Sequence, residues 1–138
     1  MRNVRFIAFV QESIKELQAK GHQVELVGIF YHAGENDMAF GPHRNNAAKW
    51  LQSTVAQSRQ DLSLPSLRWF VSQQPSTDDK GRKAIDVTAD LAAIAAIDPA
   101  FIYLKTFKLA PQKEKLVFTA AGIVQLGELL AQCYVEHR

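Results

Sequence analysis

His32, Glu35, Asn36, Asp37 and His43 fall in one short polar stretch, FYHAGENDMAFGPHRNN from Phe30 to Asn46, directly behind the apolar run VELVGIF. Two imidazoles, two carboxylates and several amides at this density suit three kinds of chemistry: holding a metal, relaying a proton, or donating hydrogen bonds to a developing oxyanion. The spacing of His32, Glu35, Asp37 and His43 matches no standard metal-ligand motif, so no metal is expected. A histidine base needs a nucleophile within hydrogen-bond reach. Ser13 is a poor candidate, since it lies between Glu12 and Ile14 in a helical pattern with no glycine turn to expose its hydroxyl. The chain carries no Walker A loop, no Gly-x-Gly-x-x-Gly fingerprint and no Gly-x-Ser-x-Gly elbow, and no cofactor is expected.

These residues must be positioned by the elements around them. Phe6, Ile7, Val10, Ile14 and Leu17 recur at three- and four-residue steps and Gly21 follows as a stop, which predicts a helix over about 3–20. Val24 to Phe30 is almost continuously apolar, the pattern of a strand covered on both faces and central in a parallel sheet. A second helix, capped by Asn45 or Asn46, is predicted to run to about Asp61 and to end at Leu62 to Pro65. A strand near 67–72, a helix over 82–97 stopped by Asp98-Pro99, and a strand at 101–104 come next. The last helix presents Ile123, Leu126, Leu130 and Cys133 at helical spacing, with Gly127 read as a point of close approach. Strand and helix alternate three times, which implies a parallel sheet with right-handed crossovers. Ligands in such sheets bind outside the carboxyl ends of the strands, where the loops 31–45, 72–81 and 105–116 would open.

Composition narrows the classes. A chain of 138 residues fits one domain, and 47% hydrophobic with 22% charged residues argues against disorder. No apolar run approaches the roughly 20 residues needed to span a bilayer. The net charge of +2 comes from intermixed signs, and the basic clusters Gly81 to Lys83 and Lys105 to Lys115 lack the aromatic or glycine pattern of RNA modules. Neither nucleic acid nor membrane is an expected partner. Gln11, Glu12, Lys15 and Glu16 interrupt any signal-peptide core at the start, and the residues assign no compartment. The lone Cys133 excludes an internal disulfide and is read as apolar packing.

The run GIFYHAGENDMAF, a helix ending in Arg59-Gln60-Asp61-Leu62 and the strand-loop RWFVSQQP together resemble the SGNH hydrolase superfamily. Within it, they resemble the carbohydrate acetylesterases related to sialate O-acetylesterase. A segment of the type His-Gln-Gly-Glu-Ser-Asp follows a strand in that group. His32, Gly34, Glu35 and Asp37 match it, Ala33 replaces the glutamine, and Asn36 replaces the serine. The asparagine form belongs to the wider superfamily, where the amide helps to form the oxyanion hole. A second match runs from Gln112 to Gly122, resembling the closing block in which Asp-x-x-His precedes an aromatic residue, a short Ala/Gly stretch and a helix. There Glu114 takes the aspartate's place and Val117 the histidine's.

The resemblance implies a three-layer α/β fold, a flavodoxin-like or SGNH-type parallel sheet truncated to about three strands with flanking helices, in one partial domain over 1–138. It implies substrate contacts from His32, Gly34, Glu35, Asn36 and Asp37, and an acetylated carbohydrate as ligand. It leaves the catalytic set incomplete: Asn36, Glu114 and Val117 occupy vestigial positions, valine cannot move a proton, and the family's serine block precedes the matched part. Three functional readings stand together: a non-catalytic esterase-like domain, a portion of an active O-acetylesterase completed by a preceding segment or a partner, and a non-enzymatic interaction module. A homodimer or higher oligomer through the strand at 24–30 or the helix at 3–20 is expected, because an uncovered sheet edge invites pairing.

Overall fold

A computed structural model describes residues 4–33, 41–73, 88–104 and 119–138. Its elements are α1 (Val4–Ala19), β1 (Ile29–Ala33), α2 (Gly41–Asp61), β2 (Trp69–Gln73), α3 (Thr88–Ile97), β3 (Phe101–Leu104) and α4 (Ala120–His137). The three strands form one parallel sheet in the order β1-β2-β3, with Ile29 opposite Trp69 and Trp69 opposite Phe101. The fold is therefore α/β, as the alternation of strands and helices implies.

Each face of the sheet packs on different helices. Ile29, Trp69, Val71 and Phe101 form one core with Val55 of α2 and with Leu91 and Ile94 of α3. Phe70, Ile102 and Leu104 face the other way and pack with Cys133, Leu129, Leu130 and Tyr134 of α4. Cys133 is thus a packing residue, as expected. Phe30 stacks on Phe70 at 4.8 Å between ring centroids, and Tyr134 meets Phe70 edge-on at 5.9 Å, so α4 is anchored by aromatic contacts.

The strand boundaries correct the sequence expectation. β1 begins at Ile29, not Val24, and β2 at Trp69, not Leu67. The ladder starts where Ile29 N donates to Arg68 O at 2.8 Å and Trp69 N donates to Ala100 O at 2.8 Å, while Leu67 N is held in a turn by Leu64 O at 3.0 Å. β1 is also not central. Among the described residues it is an edge strand, and β2 holds the middle with Phe70 0% and Val71 1% exposed. Phe30 and Tyr31, on opposite faces of β1, are 44% and 37% exposed although Ile29 is buried, so β1 is covered less completely than β2.

Helix ends follow local chemistry. Gly21 has φ +84°, with Gly21 N donating to Gln18 O and His22 N to Leu17 O, the paired bonds that close a helix through a left-handed residue. Ser63, φ 56°, does the same for α2, with Ser63 N donating to Gln60 O and Leu64 N to Arg59 O. α2 begins at Gly41, ahead of the predicted Asn45 or Asn46 cap, because Pro42 is pre-set for a first helical turn. α3 ends at Ile97, before Asp98-Pro99; the predicted start of this helix at 82 lies outside the described residues. Thr119 caps α4 by accepting from Gly122 N at 3.0 Å. Gly127 does not mark a close approach: a Cβ there would meet nothing within 4 Å.

Candidate functional site

Parallel pairing sends all three strands out at the same end of the sheet, so their carboxyl ends, at Ala33, Gln73 and Leu104, lie on one rim. His32 stands on that rim. It belongs to β1, one residue before the strand ends, and not to the loop in which the sequence pattern put it. Its ring is half-buried, and Nδ1 lies 2.8 Å from Ser72 Oγ. The two residues are direct partners in the β1–β2 register, and Ser72 is 0% exposed. A buried hydroxyl needs a hydrogen-bond partner, and the imidazole supplies it. Across β2, Leu104 pairs with Ser72 in the register of β3.

The other sequence-predicted site residues are not brought into view. Gly34, Glu35, Asn36, Asp37, Glu114 and Val117 lie outside the described residues, as does the expectation that Asn36 and Glu114 share a rim. His43 falls in the first turn of α2 and not in a loop. Ser13 lies within α1, half-buried, as its helical pattern implied. Among the described residues no group of three or more His, Cys, Asp or Glu side chains could hold a metal, and no helix is long and apolar enough to cross a membrane. Sequence reasoning missed Ser72. The signal available was a polar residue inside the apolar run Trp69 to Val71, one register step from the end of its strand.

Two cavities of about 340 Å³ have neither His32 nor Ser72 in their lining. One is bounded by Leu26, Leu64, Arg68 and Tyr134 near the amino ends of β1 and β2, and the other by Ile102, Leu104, Cys133 and His137 along the β3–α4 edge. In the second, burial and then the nearby Glu136 charge push the Cys133 thiol pKa up, which keeps the sulfur protonated and a weak nucleophile.

A family model for carbohydrate esterase, sialic acid-specific acetylesterase matches residues 6–136, nearly the whole chain. The chain belongs to this carbohydrate esterase family. The match includes every element from α1 to α4, so this member of the carbohydrate esterases carries the family pattern on the sheet and helices described above. The X-ray structure of an Arabidopsis thaliana protein shares this chain's fold with a TM-score of 0.73 at 21% identity, covering 96% of this chain and 51% of that one. The chain therefore spans about half the length of that structure. A comparison with curated proteins gives no match.

Proposed function

We propose that this chain is an SGNH-type, sialate O-acetylesterase-like domain that keeps contacts for an acetylated carbohydrate but does not complete ester hydrolysis by itself. The observation that carries this reading is Val117, which in the family-like closing block takes the place of the histidine. A hydrocarbon side chain cannot accept a serine proton, and the serine block of the family pattern is not among these 138 residues. His32, Gly34, Glu35, Asn36 and Asp37 keep the polar composition of a sugar-facing loop, so ligand contact outlasts the proton relay in this account. The test is fluorophosphonate labelling followed by intact mass, beside hydrolysis of small acetyl esters. No adduct and background hydrolysis are expected, and Val117→His alone restores neither. A stoichiometric adduct or saturable turnover refutes the reading.

A second reading is supported by the exposed edge of β1 together with the half-length match: the domain is completed by another chain or segment. Phe6, Phe9 and Leu17 of α1 are also exposed, adding a second uncovered apolar surface. A strand at the edge of a sheet is a place where another chain can add a strand. In this reading the isolated chain forms a homodimer or higher oligomer through β1 or α1. Size-exclusion chromatography with light scattering checks it at micromolar concentration; a stable species at the 15.4 kDa of a single chain rules it out.

A further inference from the structure

The cavity at the amino ends of β1 and β2 combines an apolar wall with charge. The chain leading to β1, the turn before β2 and the end of α4 enclose it. Leu26, Leu64, Pro65 and Tyr134 supply apolar surface, while Arg68, Arg138 and Glu25 bring the charged groups. Arg68 is half-buried, one residue ahead of β2. Among the described residues its guanidinium takes part in no ion pair and no hydrogen bond, and the neighbouring Arg59–Asp98 pair does not include it. A charge partly withdrawn from water without a partner is unfavourable, and a guanidinium offers its donors in a planar fork. The backbone beneath it is fixed, since Arg68 O accepts from Ile29 N where the β1–β2 ladder opens.

The two other charged groups decide which anion suits the cavity. Arg138 is exposed and is the C-cap of α4, where the partial negative charge of the last carbonyls already offsets a cation. Glu25 is exposed and, among the described residues, pairs with neither arginine. Its carboxylate opposes a second negative charge on a ligand. The cation left to be met is Arg68, beside apolar surface, in a volume of about 340 Å³ that is at the small end of ligand pockets.

We propose that this cavity binds a small monocarboxylate with an apolar or aromatic body, its carboxylate on Arg68 and its body against Tyr134 and Leu64. A carboxylate matches the guanidinium fork with two parallel hydrogen bonds, and Glu25 disfavours a phosphate dianion in the same place. None of the lining residues stands at a carboxyl end of a strand, so the site is independent of the esterase-like reading of the rim.

The experiment is a titration of the wild-type chain with phenylacetate, read by backbone amide shifts, beside phenylethanol, phenethylamine and inorganic phosphate, and repeated on Arg68→Met and Glu25→Gln. Methionine keeps an apolar stem and removes the guanidinium, and the same spectra report whether each variant is folded. Saturable shifts are expected from phenylacetate at Val27, Ser66 and Arg68, with binding at least about tenfold weaker in Arg68→Met, as for loss of a charge-assisted hydrogen bond. The alcohol and the amine should bind weaker by a similar factor, which tests the charge without any substitution. Glu25→Gln should narrow the gap between phenylacetate and phosphate. No saturable shift at millimolar phenylacetate overturns the proposal, as do shifts centred away from the cavity. Equal affinity in folded Arg68→Met, or for phenylethanol, also overturns it, because the guanidinium would then rest in water on a buried stem. Phosphate bound as tightly as phenylacetate by the wild type refutes the monocarboxylate assignment.

Discussion

Replacing Gly28 by alanine sets two effects of opposite sign against each other. The backbone there is not in the left-handed region, so alanine adopts the conformation, and the loss of unfolded-state freedom alone would stabilise the fold by about 0.4–1 kcal/mol. The added Cβ, however, would lie 2.9 Å from Phe70 Cε2 and 3.0 Å from Arg68 O. Neither neighbour gives way easily. Phe70 is 0% exposed and stacked on Phe30, and Arg68 O accepts the 2.8 Å bond from Ile29 N that opens the β1–β2 ladder. Overpacking of this kind costs about 1–3 kcal/mol, and a strained ladder bond adds up to about 1 kcal/mol. The clash wins, and Gly28→Ala is expected to destabilise the fold by about 1–2 kcal/mol. Urea denaturation followed by tryptophan fluorescence measures it as a lower midpoint at unchanged slope, and thermal melting as a loss of about 3 °C per kcal/mol. A variant as stable as the wild type, or more so, would show that β1 does not approach β2 this closely and would remove the basis for its register.

Arg59→Met is expected to cost about 2 kcal/mol in the same assay. It removes the 2.6 Å pair with Asp98 and the bond to Leu67 O together, and an effect within error would mean the cluster is solvated. Gly21→Ala should cost about 1 kcal/mol by circular dichroism melting, because φ +84° disfavours a Cβ even in open space. Cys133 should react with iodoacetamide at pH 8 much more slowly in the folded chain than in urea, since its raised pKa depletes the thiolate. For the same reason the neutral thiol's contribution to stability is complete below pH 9.0, the ordinary value, and is lost as pH rises through the raised one; equal labelling rates would refute the burial.

Fold class was legible because its signals are local and repeated. Asp98-Pro99 and the apolar quartet after it located β3 to the residue, and Gly21 marked the end of α1. What defeated the reading was pairing. The run VELVGIF is apolar enough for a strand throughout, but the ladder begins only where Arg68 O reaches Ile29 N, a contact across 39 residues that no window of sequence contains. The same limit displaced His32 from its strand and hid Ser72, whose partner lies 40 residues away. Central placement of β1 was inferred from apolarity alone, yet apolarity does not separate a strand at the edge of a sheet from one in its middle. Gly41-Pro42 carried a usable first-turn signal that the more familiar asparagine caps outweighed.

The Arg59 cluster joins the end of α2, the approach to β2 and the turn before β3, since Asp98 also accepts from Ala100 N at 3.0 Å. All of it lies at the amino ends of the strands, as does the Gln11 bond to Asp61 O that ties α1 to the same pole. The connections after β1 and β3, which carry the two blocks resembling the family's, leave from the opposite pole. None of these fastenings uses a residue from those connections. Substitutions in those connections therefore fall away from the bonds that hold the frame together, which lets one scaffold carry different connections.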